Sequence, residues 1–457
     1  MRNGEVSFWH TQLGGPPEPR VPLPGPIETD VCVIGAGFTG LWTAYYLKRA
    51  APELRVVVLE RRFAGYGASG RNGGWLTSAI AGSAARYAEA AGEQATMFLQ
   101  QAMIASVHEV ISVAAKEKID ADIVRGGVLT VATSPAQWAR LQAATEQETR
   151  WGQRNCLLLN AEQLAARIRI AGTVGGMYHP NCARIHPAKL VRGLAEAVTA
   201  LGVPIYEDTP VTSIAPHRVS TPHGEVRARF VLRATEGFTA GLPGLRRQWL
   251  PMNSSMIVTE PLPEQVWAEI GWARREVLGD EAHAYMYAQR TADDRIAIGG
   301  RGVPYKYGSR TDADGQTSVR TVAALRDILI RFWPALTETR IEHAWSGVLA
   351  VPRDWCATVG LDHTTGLGWA GGYVGHGVTT TNLAGRTLRD LVLGNDTELT
   401  GLPWVNRRVR GWEPEPLRWL GVQAIYAAYR TADRRETRAG TPKSSVIARV
   451  ADRISGH

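Results

Sequence analysis

Residues 30–40 read DVCVIGAGFTG, and residues 55–60 read RVVVLE. A β-branched apolar run (Val31, Val33, Ile34) enters a glycine turn, and an amphipathic segment with Leu41, Ala44, Tyr45 and Leu47 leaves it. The order is strand, turn, helix, second strand and acidic cap, the opening unit of a dinucleotide-binding fold. Gly35 makes the tight turn, and Gly37 lets the backbone approach a pyrophosphate at the helix N-terminus. Gly40 lets helix and sheet pack closely. Ala36, Phe38 and Thr39 complete the cradle. Glu60 falls where a carboxylate accepts from ribose hydroxyls, and Arg61 follows it.

The rest of the chain bounds the class. At 457 residues, length allows two or three domains. The 48 glycines exceed the average share of about 7%, as turns around a cofactor require. No apolar run reaches the ~18 residues of a bilayer span, and the first residues, MRNGEVSFWHTQLGG, lack a secretory apolar core. Cys32, Cys156, Cys182 and Cys356 are scattered without a C-x-x-C, which argues against zinc and a disulfide framework and fits a cytoplasmic location. The net charge of +8 is concentrated in residues 402–457, where eleven Lys or Arg face five Asp or Glu. The basicity therefore belongs to a tail, and no nucleic-acid groove is expected.

Order along the chain implies a discontinuous two-domain α/β protein (α+β overall). Residues 1–26 read as a Pro- and Gly-rich arm on the surface, anchored by Phe8 and Trp9. Residues 61–74, RRFAGYGASGRNGG, read as a long loop, and helical spacing runs over 84–118. Further helices are expected at 135–151, 186–202, 317–333 and 379–393, with short strands between. The nucleotide-binding segments are 27–83, 183–240 and 341–401. Segments 84–182 and 241–340 form an inserted mixed-sheet substrate or cap domain, and 402–457 is a basic C-terminal helical extension.

In GAGFTGLWTAYYL, the loop GASGRNGGWL, IHPAKLVRGLAEAV, RATEGFT, RIAIGGRG, HAWSGVLAVPRD and GGYVGHGVTTT the chain resembles the D-amino-acid oxidase (DAO) superfamily. Its likeness is to the gamma-glutamylputrescine oxidase and glycine/sarcosine oxidase-like branch of these FAD-dependent oxidoreductases, over residues 8–440. The resemblance implies a Rossmann-like FAD-binding domain in which Ser69, Gly70, Arg71, Asn72, Gly73 and Gly74 lie against the flavin ring and ribityl chain. It further implies that Gly372, Tyr373, Gly375, His376, Gly377 and Val378 present a helix N-terminus to flavin N1 and O2, where charge collects on reduction. Cys356 falls out of register with a flavin-tethering cysteine, and 61–74 hold no histidine, so FAD is expected without a covalent tether. The usual A-T-N reads Ala234–Thr235–Glu236, and Glu236 reads as a surface change rather than an adaptation, with the second reading kept as the alternative.

The chemistry so implied is hydride loss from the carbon beside an amine nitrogen to flavin N5, followed by hydrolysis of the imine. The substrate is then a small amine or amino acid. The acceptor is O2, or another electron acceptor if the chain is a dehydrogenase; the strand 295–300 carries no lysine of the kind many oxidases use. His376, Arg301, Tyr285 and Trp345 are the candidate catalytic residues, with Trp75, Tyr287 and Tyr373 as further pocket walls. Tyr285 and Tyr287 share one face of a strand, and packing explains them equally well. Arg301 suits a substrate carboxylate, or a salt bridge. A flavin monooxygenase is disfavoured because no Gly-Asp pair precedes the last glycine-rich helix, and a non-catalytic flavoprotein module stays as an alternative. The tail helix, with Trp419, Val422, Tyr426 and Tyr429, is expected to pack on the body, a membrane surface or partner being the alternative.

Overall fold

Two sheets organise the chain in a computed structural model that describes residues 1–153, 155–300, 305–311 and 314–455. The first is parallel at its centre. Ile205–Tyr206, Val56–Leu59, Ile27–Ile34, Gly224–Arg233 and Leu367–Gly371 lie side by side in that order, and Thr358–Asp362 runs antiparallel at the edge. A strand buried on both faces needs apolar residues at every position, which is why Val31–Ile34 and Val56–Leu59 do not alternate. Val31, Val33, Val56 and Val58 enter a core shared with the helices Phe38–Ala50, Glu93–Lys116, Pro187–Ala200 and Gly377–Leu393. Cys32, Ile34, Val57 and Leu59 face a smaller core with Leu23, Val219 and Val226. The fold is thus mixed α/β.

The single helix expected over 84–118 is two, Ala84–Ala91 and Glu93–Lys116, because Gly92 adopts a φ of +90° that breaks the helix. Glu93–Lys116 is long and apolar enough to span a bilayer by length and composition, but its Leu99, Met103, Val107 and Val110 are core residues.

Among the described residues the second sheet has nine strands. Leu250–Thr259, Ile296–Gly300, Met286–Arg290, Val277–Asp280 and Val128–Ala132 form its middle, and Glu264–Ile270 and Val319–Phe332 contribute to the apolar layer on one face. Ile341–Val351, read from sequence with the third nucleotide-binding segment, is hydrogen-bonded along Leu250–Thr259 in this sheet instead. Its period-2 pattern shows only that it is a strand. Which sheet it joins is set by long-range register.

Along the N-terminal arm, residues 11–26 run over the surface with Leu23 alone buried, while residues 6–10 are drawn into the body. Arg2–Asn3 pairs with Ile341–Val351, and Phe8 and Trp9 are buried against Trp345.

In the tail, Leu417–Ala439 forms a helix packed on the body. Glu436, buried, accepts from Arg140 (2.8 Å) and from Ser445 N–H (2.7 Å), and lies 3.0 Å from His283 Nε2. Asp433 accepts from the backbone N–H groups of His283 and Ala284. The tail thereby clamps the connection that leads into Tyr285. Burial pushes the Glu436 carboxyl up, but the Ser445 N–H, His283 and Arg140 outweigh it and hold it below the ordinary range. Its contribution is therefore present above the usual carboxylate value and is lost as pH falls through the lower folded value. Glu436→Ala should cost about 2 kcal/mol, since it leaves the half-buried Arg140 without its anion and the Ser445 N–H without its acceptor. Thermal denaturation at neutral pH checks the loss, and limited proteolysis should release the tail. The wild-type tail should loosen in the same way in acid.

Candidate active site

A cavity of about 710 Å³ runs between the two sheets. That is within the usual range for a buried cofactor or ligand. One end is polar, with Glu60, Arg61, Arg62 and Thr209. The middle passes Gly35, Gly37, Phe38, Thr39, Ser69 and Asn72. The other end is bordered by Trp75, Tyr285, Tyr287, Tyr373 and His376.

The glycine turn is built as its sequence dictates. Gly35 has a φ of +104° and turns over the Ala234 carbonyl, leaving 2.7 Å for any Cβ. A Cβ on Gly40 would overlap the Gly35 carbonyl oxygen, so helix and turn touch there through backbone alone. Gly37 lies beside Ser69, whose hydroxyl accepts from Phe38 N–H (2.8 Å) at the helix start. Ala36 does not reach the cavity; its N–H donates to Glu60 (2.8 Å), and Arg62 N–H donates to the other carboxylate oxygen (3.0 Å). Burial pushes the Glu60 carboxyl up, against the pull of the Ala36 and Arg62 N–H groups.

The loop 61–74 is held by its carbonyls. Gly70, Arg71, Asn72 and Gly73 oxygens accept in turn from Ser7 Oγ (2.7 Å), Trp345 Nε1 (2.9 Å), Trp9 Nε1 (2.8 Å) and Gln289 Nε2 (2.7 Å). None of these four donors borders the cavity. Four successive carbonyls are thus drawn outward, and the loop's other side is presented to the cavity. Gly70 and Gly74 are packing glycines rather than cavity walls: a Cβ at either would collide with His10, or with Gln289 and Ile185. Gly73 gives room to the Tyr287 ring, which would stand 2.8 Å from a Cβ there.

Trp345 must be reassigned. It is fully buried among Phe8, Trp9 and His343, outside the cavity, and its indole N–H supports Arg71 from behind. A tryptophan on a strand near a glycine-rich motif looks the same from sequence whichever face it takes.

Tyr285, Tyr287 and His376 do meet at one end. The Tyr287 hydroxyl is 2.8 Å from Ser254 Oγ, and the Tyr285 hydroxyl lies 3.9 Å from where a Gly375 Cβ would stand. His376 caps the start of the helix Gly377–Leu393, and Gly377 and Val378 line the cavity. Gly372 lies just behind it. Arg301 lies outside the described residues.

Two acidic residues at the site escaped the sequence reading of function. Asp280 borders the cavity and accepts from Met286 N–H (2.8 Å), and burial pushes its carboxyl up to about 7. Glu236 is not a surface change: its carboxylate bonds the N–H groups of Gly372 and Tyr373 (3.0 and 2.9 Å) and of Ala350. The departure from A-T-N was its only sequence signal.

The donor set fits FAD. The acidic residue, glycine turn and backed loop follow one another along a single cavity, and added Cβ atoms would fill its cradle at Gly35, Gly37 and Gly73.

Comparison with known proteins agrees. The chain is 31% identical over 375 residues to gamma-glutamylputrescine oxidoreductase of Escherichia coli, covering 81% of this chain and 84% of that protein. Glycine oxidase of Geobacillus kaustophilus superposes with a TM-score of 0.69 at 20% identity, over 83% of this chain and 99% of that one. L-proline dehydrogenase from P. horikoshii superposes at 0.68 with 18% identity, over 82% and 96%. Residues 30–391 match the DAO family of FAD dependent oxidoreductases, and with the cavity this places the chain in that family as an FAD-dependent enzyme.

Proposed function

We propose that this enzyme oxidises the C–N bond of an amine or amino acid, with FAD held without a covalent tether and O2 as the acceptor. The observation that carries it is the single cavity that runs from Glu60 past the glycine turn and the 69–73 loop to Tyr285, Tyr287 and His376. The names of its relatives, gamma-glutamylputrescine oxidoreductase and glycine oxidase, support the substrate class.

When bound, FAD supplies the two-electron acceptor for the substrate's hydride. The chain's part is placement. Gly35, Gly37, Phe38 and Thr39 would form the pyrophosphate seat, shaped from behind by Ala36 and Gly40, with Glu60 and Arg61 at the adenosine end. Ser69, Arg71, Asn72 and Gly73 on one side and Tyr373, Gly375, His376, Gly377 and Val378 on the other would hold the ring between loop and helix start, with Gly70, Gly74 and Gly372 packed behind them. Trp75, Tyr285 and Tyr287 wall the substrate end, exclude water and offer ring faces to an amine. His376 is the polar group nearest the helix start. The substrate nitrogen must be neutral to donate, and His376 or the Tyr285 hydroxyl accepts its proton or hydrogen bond.

An aerobic panel of primary amines, secondary amines, D- and L-amino acids and glutamylated diamines tests this. Hydrogen peroxide and carbonyl product should appear in equal amounts with one class. Product formed only with an artificial acceptor would make the enzyme a dehydrogenase. No product with any acceptor would refute the proposal.

A further inference from the structure

Glu236 follows the strand Gly224–Arg233 and has a φ of +41°, a left-handed backbone that a non-glycine residue keeps only where its surroundings hold it. Its carboxylate does the holding. Oε1 accepts from Gly372 and Tyr373 N–H, and Oε2 from Ala350 N–H. These donors come from both sheets: Ala350 from Ile341–Val351, and Gly372 and Tyr373 from the turn between Leu367–Gly371 and the helix Gly377–Leu393. Glu236 borders the same cavity as His376 and is bonded to Tyr373 N–H there. Arg233 below it is buried over the Trp249 ring and gives its hydrogen bonds to Thr239 and Gln248, so it reaches Glu236 only through space. Gly372 and Tyr373 N–H, expected to face a flavin, are thus taken by an anion of the chain.

We propose that Glu236 is a positioning residue that sets the electron affinity of bound FAD, by tying the turn before Gly377–Leu393 to the substrate sheet and placing a carboxylate near that helix's positive end. The proposal rests on the reading that FAD occupies this cavity. A helix start carries roughly half a positive charge, which favours added electrons nearby. An ionised Glu236 offsets it, where the asparagine of the A-T-N pattern would be neutral. The charge facing Glu236 is Arg233 from its own strand; from the turn comes the Tyr373 phenol, held neutral by burial, and Ile341–Val351 presents the uncharged Val348, Leu349 and Ala350. Burial pushes the carboxyl to about 7 against the pull of the three N–H groups, so both of its forms are accessible near neutrality. Electrons added to a bound flavin would raise the carboxyl's proton affinity, so Glu236 would exchange a fraction of a proton with the solvent buffer on reduction and release it on reoxidation.

The test is the midpoint potential of the FAD-loaded wild type, Glu236→Gln and Glu236→Asp, by dye equilibration at about pH 5.5 and about pH 8.5, either side of the carboxyl's titration. Glu236→Gln should have the higher potential, with a gap that widens at the alkaline pH where only the wild type carries the charge. Glu236→Asp should keep the wild-type pH dependence. Equal potentials for wild type and Glu236→Gln at both pH values, with FAD bound, would overturn the proposal. If neither variant holds FAD, the wild type decides: its potential against pH should show a break besides the one free FAD shows in the same titration, and no additional break would overturn it. A wild type that binds no FAD refutes the cofactor reading instead.

Discussion

Gly40→Ala should yield protein without bound FAD and at least roughly 3 kcal/mol less stable than wild type, the upper range for overpacking a closed core. The added Cβ overlaps the carbonyl oxygen of Gly35, and Val33 crowds it from the sheet side. Neither neighbour can give way. The Gly35 carbonyl belongs to the turn whose own φ of +104° is fixed by contact with Ala234. Val33 is fully buried in the parallel sheet. Relief requires the helix Phe38–Ala50 to lift from the strand Ile27–Ile34, which moves Gly37 and Phe38 away from the pyrophosphate seat. Absorbance of the purified protein with added FAD, and its melting temperature, check both effects. Gly421→Ala is the control. That glycine is exposed within Leu417–Ala439 with no atom near its Cβ position, and alanine there should stabilise by up to about 1 kcal/mol.

Trp345→Ala should cost about 4 kcal/mol, as large-to-small substitutions at fully buried aromatic positions do. It should weaken FAD binding although Trp345 does not border the cavity. The ring fills the space between Phe8 and Trp9 at centroid distances of 6.0 and 5.8 Å, and its N–H holds the Arg71 carbonyl. Trp345→Phe separates the two functions. It keeps most of the packing but leaves the Arg71 carbonyl without its donor, at about 1–3 kcal/mol. FAD affinity should fall with either variant, while the ratio of rates between substrates stays as in wild type. A change in that ratio would return Trp345 to the substrate wall.

How much of this could be read in the sequence follows the range of the interactions. The strand–turn–helix at 27–60 was legible because its causes are local: β-branched runs make the strands, and glycines mark the backbone contacts. The tail helix was legible for the same reason, since an apolar stripe at helical spacing seeks a body to pack on. The arm at 1–26 was legible as a surface segment anchored by Phe8 and Trp9, but its hydrogen-bond partners were not. Its Ser7 and Trp9 act on carbonyls more than sixty residues away, and no periodicity carries such a bond. Trp345 was misplaced because strand alternation says which residues share a face but not what that face meets. Glu236 was misread because glutamate after a strand is ordinarily exposed. Only the fold brings Gly372, Tyr373 and Ala350 around it.

The most direct test of an FAD-dependent amine oxidoreductase is anaerobic mixing of the FAD-loaded protein with the same amine panel, followed in the visible absorption of the flavin. Bleaching by one substrate class, and recovery of the band on admitting air, is the predicted result. A bound flavin that no amine or amino acid bleaches, while a chemical reductant does, would contradict it.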